Sequence, residues 1–366
     1  MVPHTYPIFN LLVILLLAAL YVYPIVFKRG LQYRQFTDSR LNFWFFFITV
    51  TLFSTFAFSN GDFFNYAQGF RRMVKTGESW HFEGIYVWLV NHITHTYIVW
   101  RMIIWGAATY ITLLSFKRLA LPEIPSYAAI TVCYLTTLYI MRGNLGVAVM
   151  FYGLTLCMVP IRGKRHLSYV LGALLMFLSY YFHKSMILSF ALLVPAMMVN
   201  FDRKKILWSL LLYPVAYFVM GYLLEYLGEY GLEGVDAKIS TYSQHYSQVK
   251  HFETNANGRI AEFFTYGAPL FTIYYAYKTN LVMALPSKIR LFFNYWYVWI
   301  YVAVVCYPQA IGGWYFSRFM YMSNLPWAVF MAYIYARYPN SKKIRILTVW
   351  ALIGAIYPIL YAVYKH

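Results

Sequence analysis

Residues 8–27 read IFNLLVILLLAALYVYPIVF, a run without a charged side chain. A helix of about 20 apolar residues is what crosses the hydrocarbon of a bilayer. No Lys or Arg precedes the run and no small-residue cleavage site follows it, so it reads as a spanning helix, not a secretory leader. Leu41–Ser59 and Ile206–Leu227, the latter with Glu225 as its one charged residue, are apolar runs of similar length. Across 366 residues, 61% are hydrophobic and 11% charged, against roughly 25% charged in a soluble protein. One soluble core cannot absorb that deficit. The composition predicts an all-α polytopic membrane protein.

Apolar runs predict about twelve transmembrane helices, near 8–27, 41–59, 96–115, 124–140, 144–160, 167–182, 185–201, 206–227, 259–277, 291–307, 317–336 and 346–364. Alternate loops then sort by charge. One side holds nineteen Lys and Arg; the other holds eleven, with nine of the twelve acids. The positive-inside rule makes the first side cytoplasmic and places both termini outside. No internal repeat is evident, and 1–366 reads as a single integral membrane domain with external polar loops at 60–95 and 228–258. The net charge of +18 is accounted for by cytoplasmic loops facing anionic head groups, and no nucleic-acid partner is expected. Cys133, Cys157 and Cys306 lie in apolar runs without metal-ligand spacing and read as packing residues.

The polar stretch Ser59–Ile93, SNGDFFNYAQGFRRMVKTGESWHFEGIYVWLVNHI, interrupts this pattern with Asp62, Glu78, Glu83, Arg71 and Arg72. On the predicted topology Asp62, Glu83, Arg142, His183, Lys184, Arg259 and Arg318 all fall at the outer face. Taken singly, each has an ordinary reading. Arg259 at a helix end snorkels to head groups, Glu78 is a solvated acid, and His183 is a packing residue. Arg142 differs, standing with Asn144 in a short turn between two apolar helices. Arg101 lies inside the third span, which is unfavourable without a partner; Glu83 and Asp62 are the candidates. Guanidinium groups give paired, permanently charged donors suited to a pyrophosphate. His183 titrates near neutral pH and can orient or deprotonate a hydroxyl, with the Lys184 charge favouring the neutral ring. There is no P-loop and no HExxH. Asp62 lacks a second carboxylate two residues away, so metal-dependent sugar transfer of the two-carboxylate kind is unsupported. Tyr and Trp in the external loops offer faces on which sugars stack.

Taken in order, Asp62 and Tyr66 in GDFFNYAQGF, Glu83-Gly84 with Tyr86, MRGNLGVAV at Met141–Val149, FHKS at Phe182–Ser185 and SRF at Ser317–Phe319 resemble the EpsG family of bacterial exopolysaccharide proteins, grouped with Wzy-type polysaccharide polymerases. The likeness runs from about 40 to 330. Where members often carry GTD and EPGY, this chain has NGD and EGIY. The resemblance implies a membrane glycosyltransferase-like bundle in the bacterial cytoplasmic membrane, with its site facing outside. It implies a polymerase joining oligosaccharide repeat units carried on undecaprenyl pyrophosphate, without cofactor or obligatory metal. Donor and acceptor are both lipid-linked, and a flippase and a chain-length regulator of the same pathway are the implied partners.

On that reading Arg142, Arg318, Arg259 and Lys184 hold pyrophosphate, and Tyr66 and Asn144 add substrate contacts. Asp62 and His183 share the acceptor site, His183 as base and Asp62 as its orienter or the acceptor's anchor. Glu83 is the structural partner of Arg101 and the alternative base. Competing readings are an O-antigen ligase or polyprenyl-phosphate-sugar transferase, a membrane O-acyltransferase with His183 as base, and a lipid-linked glycan transporter. A ligase would carry a larger external loop, and an inverted repeat expected of a transporter is not seen.

Overall fold

The computed structural model of the chain describes residues 5–27, 40–56, 62–77, 82–135, 141–229, 256–306 and 312–365. Its regular elements among these residues are helices. Helix α1 is Thr5–Leu17, prolonged by a π-helical turn Ala18–Val22 and by Tyr23–Phe27. Then come α2 Arg40–Thr55, α3 Asp62–Thr76, α4 Gly84–His92 and α5 Tyr97–Arg118. Helix α6 Glu123–Ala129 runs into a second π turn, Ile130–Tyr134, before α7 Met141–Met158, α8 Arg165–Phe182 and α9 Met186–Met198. Helices α10 Arg203–Leu211, α11 Tyr213–Glu229, α12 Ala256–Thr279, α13 Ser287–Cys306, α14 Gly312–Arg337 and α15 Lys342–Lys365 complete the chain.

The described parts of the apolar segments expected from the sequence fall mainly on helix. Pro7–Phe27, α5 and α13 are long and apolar enough to cross a membrane, and the bent pair α10–α11 makes a fourth if taken as one span. Helices α2 and α9 are shorter, at 16 and 13 residues. The stretch expected as a polar external loop at 60–95 contains two helices, α3 and α4. Tyr66, Phe70 and Met73 recur there at helical spacing beneath a polar surface. Most of the expected loop 228–258 lies outside the described residues.

The chain divides into two compact units, Met1–Ala191 with Ala328–His366, and Leu192–Trp327. In the first, α7 packs along α8, α5 lies against α7 and α2, and α15 meets α1 and the second π turn. The α7–α8 approach depends on glycine. A β-carbon on Gly153 would stand 2.6 Å from the Gly172 carbonyl oxygen, and one on Gly172 would stand 2.5 Å from Cys157 Sγ. Small residues let helix backbones meet where lipid gives no hydrophobic drive to associate. The π turn of α1 carries Tyr21, which meets Phe46 and Tyr127 edge-on, both at 5.2 Å, and donates to Asn42 Oδ1 at 2.8 Å.

In the second unit α11 packs on α13. Helices α10 and α11 meet at a 55° bend, and Pro214 beside it has no N–H to continue the ladder. The Tyr301 hydroxyl donates to the Ser209 carbonyl at 2.9 Å, and the Tyr297 and Ser209 hydroxyls also meet. Asn294 closes the end of α9, donating to the carbonyls of Val199 at 2.9 Å and Ala196 at 3.3 Å. Leu207, Trp208, Leu210, Leu211, Val215, Phe218 and Val219 are exposed along α10 and α11. An apolar surface of that extent faces lipid or a partner, not bulk water.

Candidate active site

Glu83 stands at the N-cap of α4 in extended conformation (φ −66°, ψ 150°), and its side chain does not cap the helix. It reaches instead to His183, one hundred residues on. His183 ends α8, also extended (φ −161°, ψ 118°). Glu83 Oε1 lies 3.2 Å from His183 Nδ1, with 10% and 14% of the two side chains exposed. An ionised carboxylate only accepts, so the proton of this contact sits on Nδ1 and a neutral ring keeps its lone pair on Nε2. The N-terminus of α4 carries the positive end of the helix dipole, which favours the anionic carboxylate.

Three supports hold the pair. The Tyr86 hydroxyl, one turn into α4, donates to the carbonyl of Phe182 at 3.0 Å, fixing the backbone just before His183. Trp100 Nε1 of α5 donates to the Tyr86 carbonyl at 3.3 Å. Phe82, beside Glu83, packs against Tyr66, Tyr86 and Trp100 with ring centroids 5.6, 6.1 and 5.4 Å away. Helix α7 also lies beside the pair: a β-carbon on Gly146 would stand 3.3 Å from His183 Cβ. The backbone of α7 therefore passes directly beside the histidine. Position 142 lies one turn earlier on the same face of α7 as Gly146.

The expected site residues divide accordingly. Glu83 and His183 meet, Tyr66 is buried in the aromatic layer under Glu83, Asn144 is buried on α7, and Lys184 is exposed beside His183. Asp62 and Arg142 lie in the first turns of α3 and α7, and Arg259 and Arg318 lie on α12 and α14; their side chains are outside the described residues. Arg259 and Arg318 belong to the second unit, the others to the first.

Arg101 has partners that its sequence context did not show. It is 1% exposed, and its Nε and one terminal nitrogen donate to the carbonyls of Thr55 at 2.8 Å and Ser54 at 2.9 Å, while the other terminal nitrogen reaches the Tyr97 hydroxyl at 3.3 Å. These carbonyls end α2, where the helix leaves acceptors open and the dipole is negative. Of the two carboxylates expected near Arg101, Glu83 also contacts His183, and the Asp62 side chain lies outside the described residues. Sequence spacing finds a carboxylate for an arginine more readily than it finds a helix terminus.

The model of the EpsG family matches residues 40–366. The chain belongs to the EpsG family. No curated protein and no solved structure matches it. Membership brings exopolysaccharide biosynthesis and a membrane setting. In this EpsG protein the segments EGIY and FHKS, separate in sequence, are joined twice over, by Glu83 with His183 and by Tyr86 with Phe182. Tyr86 and Gly146 were not picked out by chemistry-bearing side chains alone; their signal was position, three residues after Glu83 and four after Arg142.

Proposed function

We propose that this EpsG protein is a metal-independent glycosyltransferase that polymerises undecaprenyl-pyrophosphate-linked oligosaccharide repeat units at the outer face of the cytoplasmic membrane, within a bundle of about twelve spans. The observation that carries this reading is the contact between Glu83 and His183. A sugar hydroxyl is a poor nucleophile, and a positioned general base is worth about 10²–10⁴-fold. His183 Nε2 takes the proton of the acceptor hydroxyl as its oxygen bonds to the anomeric carbon of the growing chain. The bond from that carbon to phosphate breaks, and undecaprenyl pyrophosphate leaves with the electron pair. Glu83 holds the ring in line and steadies the imidazolium that forms, the division of roles known from carboxylate–histidine pairs in hydrolases.

Arg142, on α7, and Lys184, next to His183 in sequence, serve the pyrophosphate, the role that the family resemblance also implies for Arg318 and Arg259. Asp62 anchors the acceptor, beside Tyr66 and Asn144. The test is incubation of purified protein in a bilayer with synthetic lipid-linked repeat units. A ladder of products separated by one repeat unit is expected from wild type and is lost in His183→Ala. Absence of a ladder from wild-type protein would overturn the polymerase reading.

A further inference from the structure

Helix α3 is not a span: 15 residues reach only about 22 Å. Its buried stripe is Tyr66, Gly69, Phe70 and Met73. That stripe is pinned across the first turn of α5, with the Phe70 ring 5.5 Å from Tyr97 and 5.4 Å from Trp100. With α5, long and apolar enough to cross a membrane, taken as a span, α3 packs across its first turn, where a span would pass the lipid phosphates. The opposite face presents Arg71, Arg72 and Lys75 to the outside, with Val74 exposed between them. Arg71 and Lys75 are one turn apart and share a face. No Asp or Glu follows Asp62 within the helix. On the proposed topology this is the outer side, where the loop-charge rule predicts few basic residues, yet Arg71 and Lys75 stand exposed there.

We propose that the basic face of α3 binds the phosphate groups of anionic phospholipid in the leaflet at that end of α5. A basic amphipathic helix with an apolar residue among its cations is the usual form of such a contact. The buried stripe is already engaged by the protein, so lipid meets only the charged edge, and Val74 reaches the acyl boundary.

The experiment uses the full chain reconstituted in bilayers with a phosphatidylglycerol or a phosphatidylcholine probe carrying a photoreactive head group, and maps crosslinks to residues 62–77. Crosslinking by the phosphatidylglycerol probe is expected to exceed that by the phosphatidylcholine probe. Arg71→Gln with Lys75→Gln should lower it by roughly thirtyfold, from the loss of two charges each worth about 1 kcal/mol at an anionic surface. The charge-keeping exchange Arg71→Lys with Lys75→Arg should retain it. Equal crosslinking by both probes, no crosslinks at all, or no effect of the double neutral variant would overturn the proposal. Displacement by free pyrophosphate would overturn it too, by making the site one for a soluble anion. None of these outcomes depends on polymerase activity.

Discussion

Tyr86 and Phe182 are joined by a hydrogen bond of 3.0 Å between a side chain at the start of α4 and the last carbonyl before His183. It makes the backbone under the histidine a property of α4. Tyr86→Phe leaves that carbonyl without this donor, at about 0.5–1.5 kcal/mol. Polymerisation is expected to slow several-fold in kcat with KM for donor lipid unchanged. Unchanged kcat alongside a lowered melting temperature would reduce Tyr86 to packing.

Glu83 and His183 are expected to act as a unit. Glu83→Gln and His183→Ala should each lower the rate by about 10²–10⁴-fold, and the double variant should be no worse than the poorer single one, because removing the base leaves the orienter nothing to orient. Multiplying losses in the double variant would mean two independent roles.

Arg142→Ala and Arg318→Ala are expected to abolish activity while the protein stays in the membrane. Each removes charge-assisted bonds worth about 1.5–3 kcal/mol. Arg→Lys should rescue poorly at both positions, since a point charge does not reproduce the fork. Full activity in both alanine variants would sink the pyrophosphate assignment.

The topology is open to direct test. Single cysteines at positions 62, 142 and 183 are expected to react with a membrane-impermeant thiol reagent in intact cells. Protection of all three would turn the protein over in the membrane and place the Glu83–His183 pair inside the cell.

Gly172→Leu should disturb chemistry from a distance. Even a β-carbon there meets Cys157 Sγ and the Gly153 carbonyl, and overpacking of this kind costs about 1–3 kcal/mol. Because α7 passes His183 at Gly146 and α8 ends in His183, parting the two helices shifts both sides of the site. Wild-type activity in a stably inserted Gly172→Leu protein would show that the helices separate without moving His183.

Much of the helical plan was legible, because apolar runs bounded by basic loops need no tertiary information. The helices of the stretch 62–92 were harder. Phe70 and Met73 mark a helical stripe, yet Arg71, Arg72 and Lys75 give the segment the composition of a loop. His183 and Glu83 were each singled out, but their contact was not, since the chain brings together positions one hundred residues apart through α5 and α8. Arg101 was recognised as needing a partner, and its described contacts with the Ser54 and Thr55 carbonyls were invisible, because every residue carries a carbonyl and only a helix end leaves one open.

Arg101 also gives this polypeptide an order of assembly. A guanidinium inside an inserting helix is disfavoured, by about 2.5–3.5 kcal/mol at the centre and by less one turn from the end, where Arg101 stands, so α5 entering a bilayer alone carries a penalty that a partner helix would relieve. Helix α2, whose last two carbonyls take that guanidinium, is synthesised first and is expected to be available when α5 arrives. A reporter carrying α5 without α2 is expected to insert less efficiently than one carrying both, as read by glycosylation mapping, and Arg101→Leu should erase the difference. Equal insertion with and without α2 would show that α5 needs no escort. The arginine that fastens the finished fold thus makes one helix wait for another during synthesis.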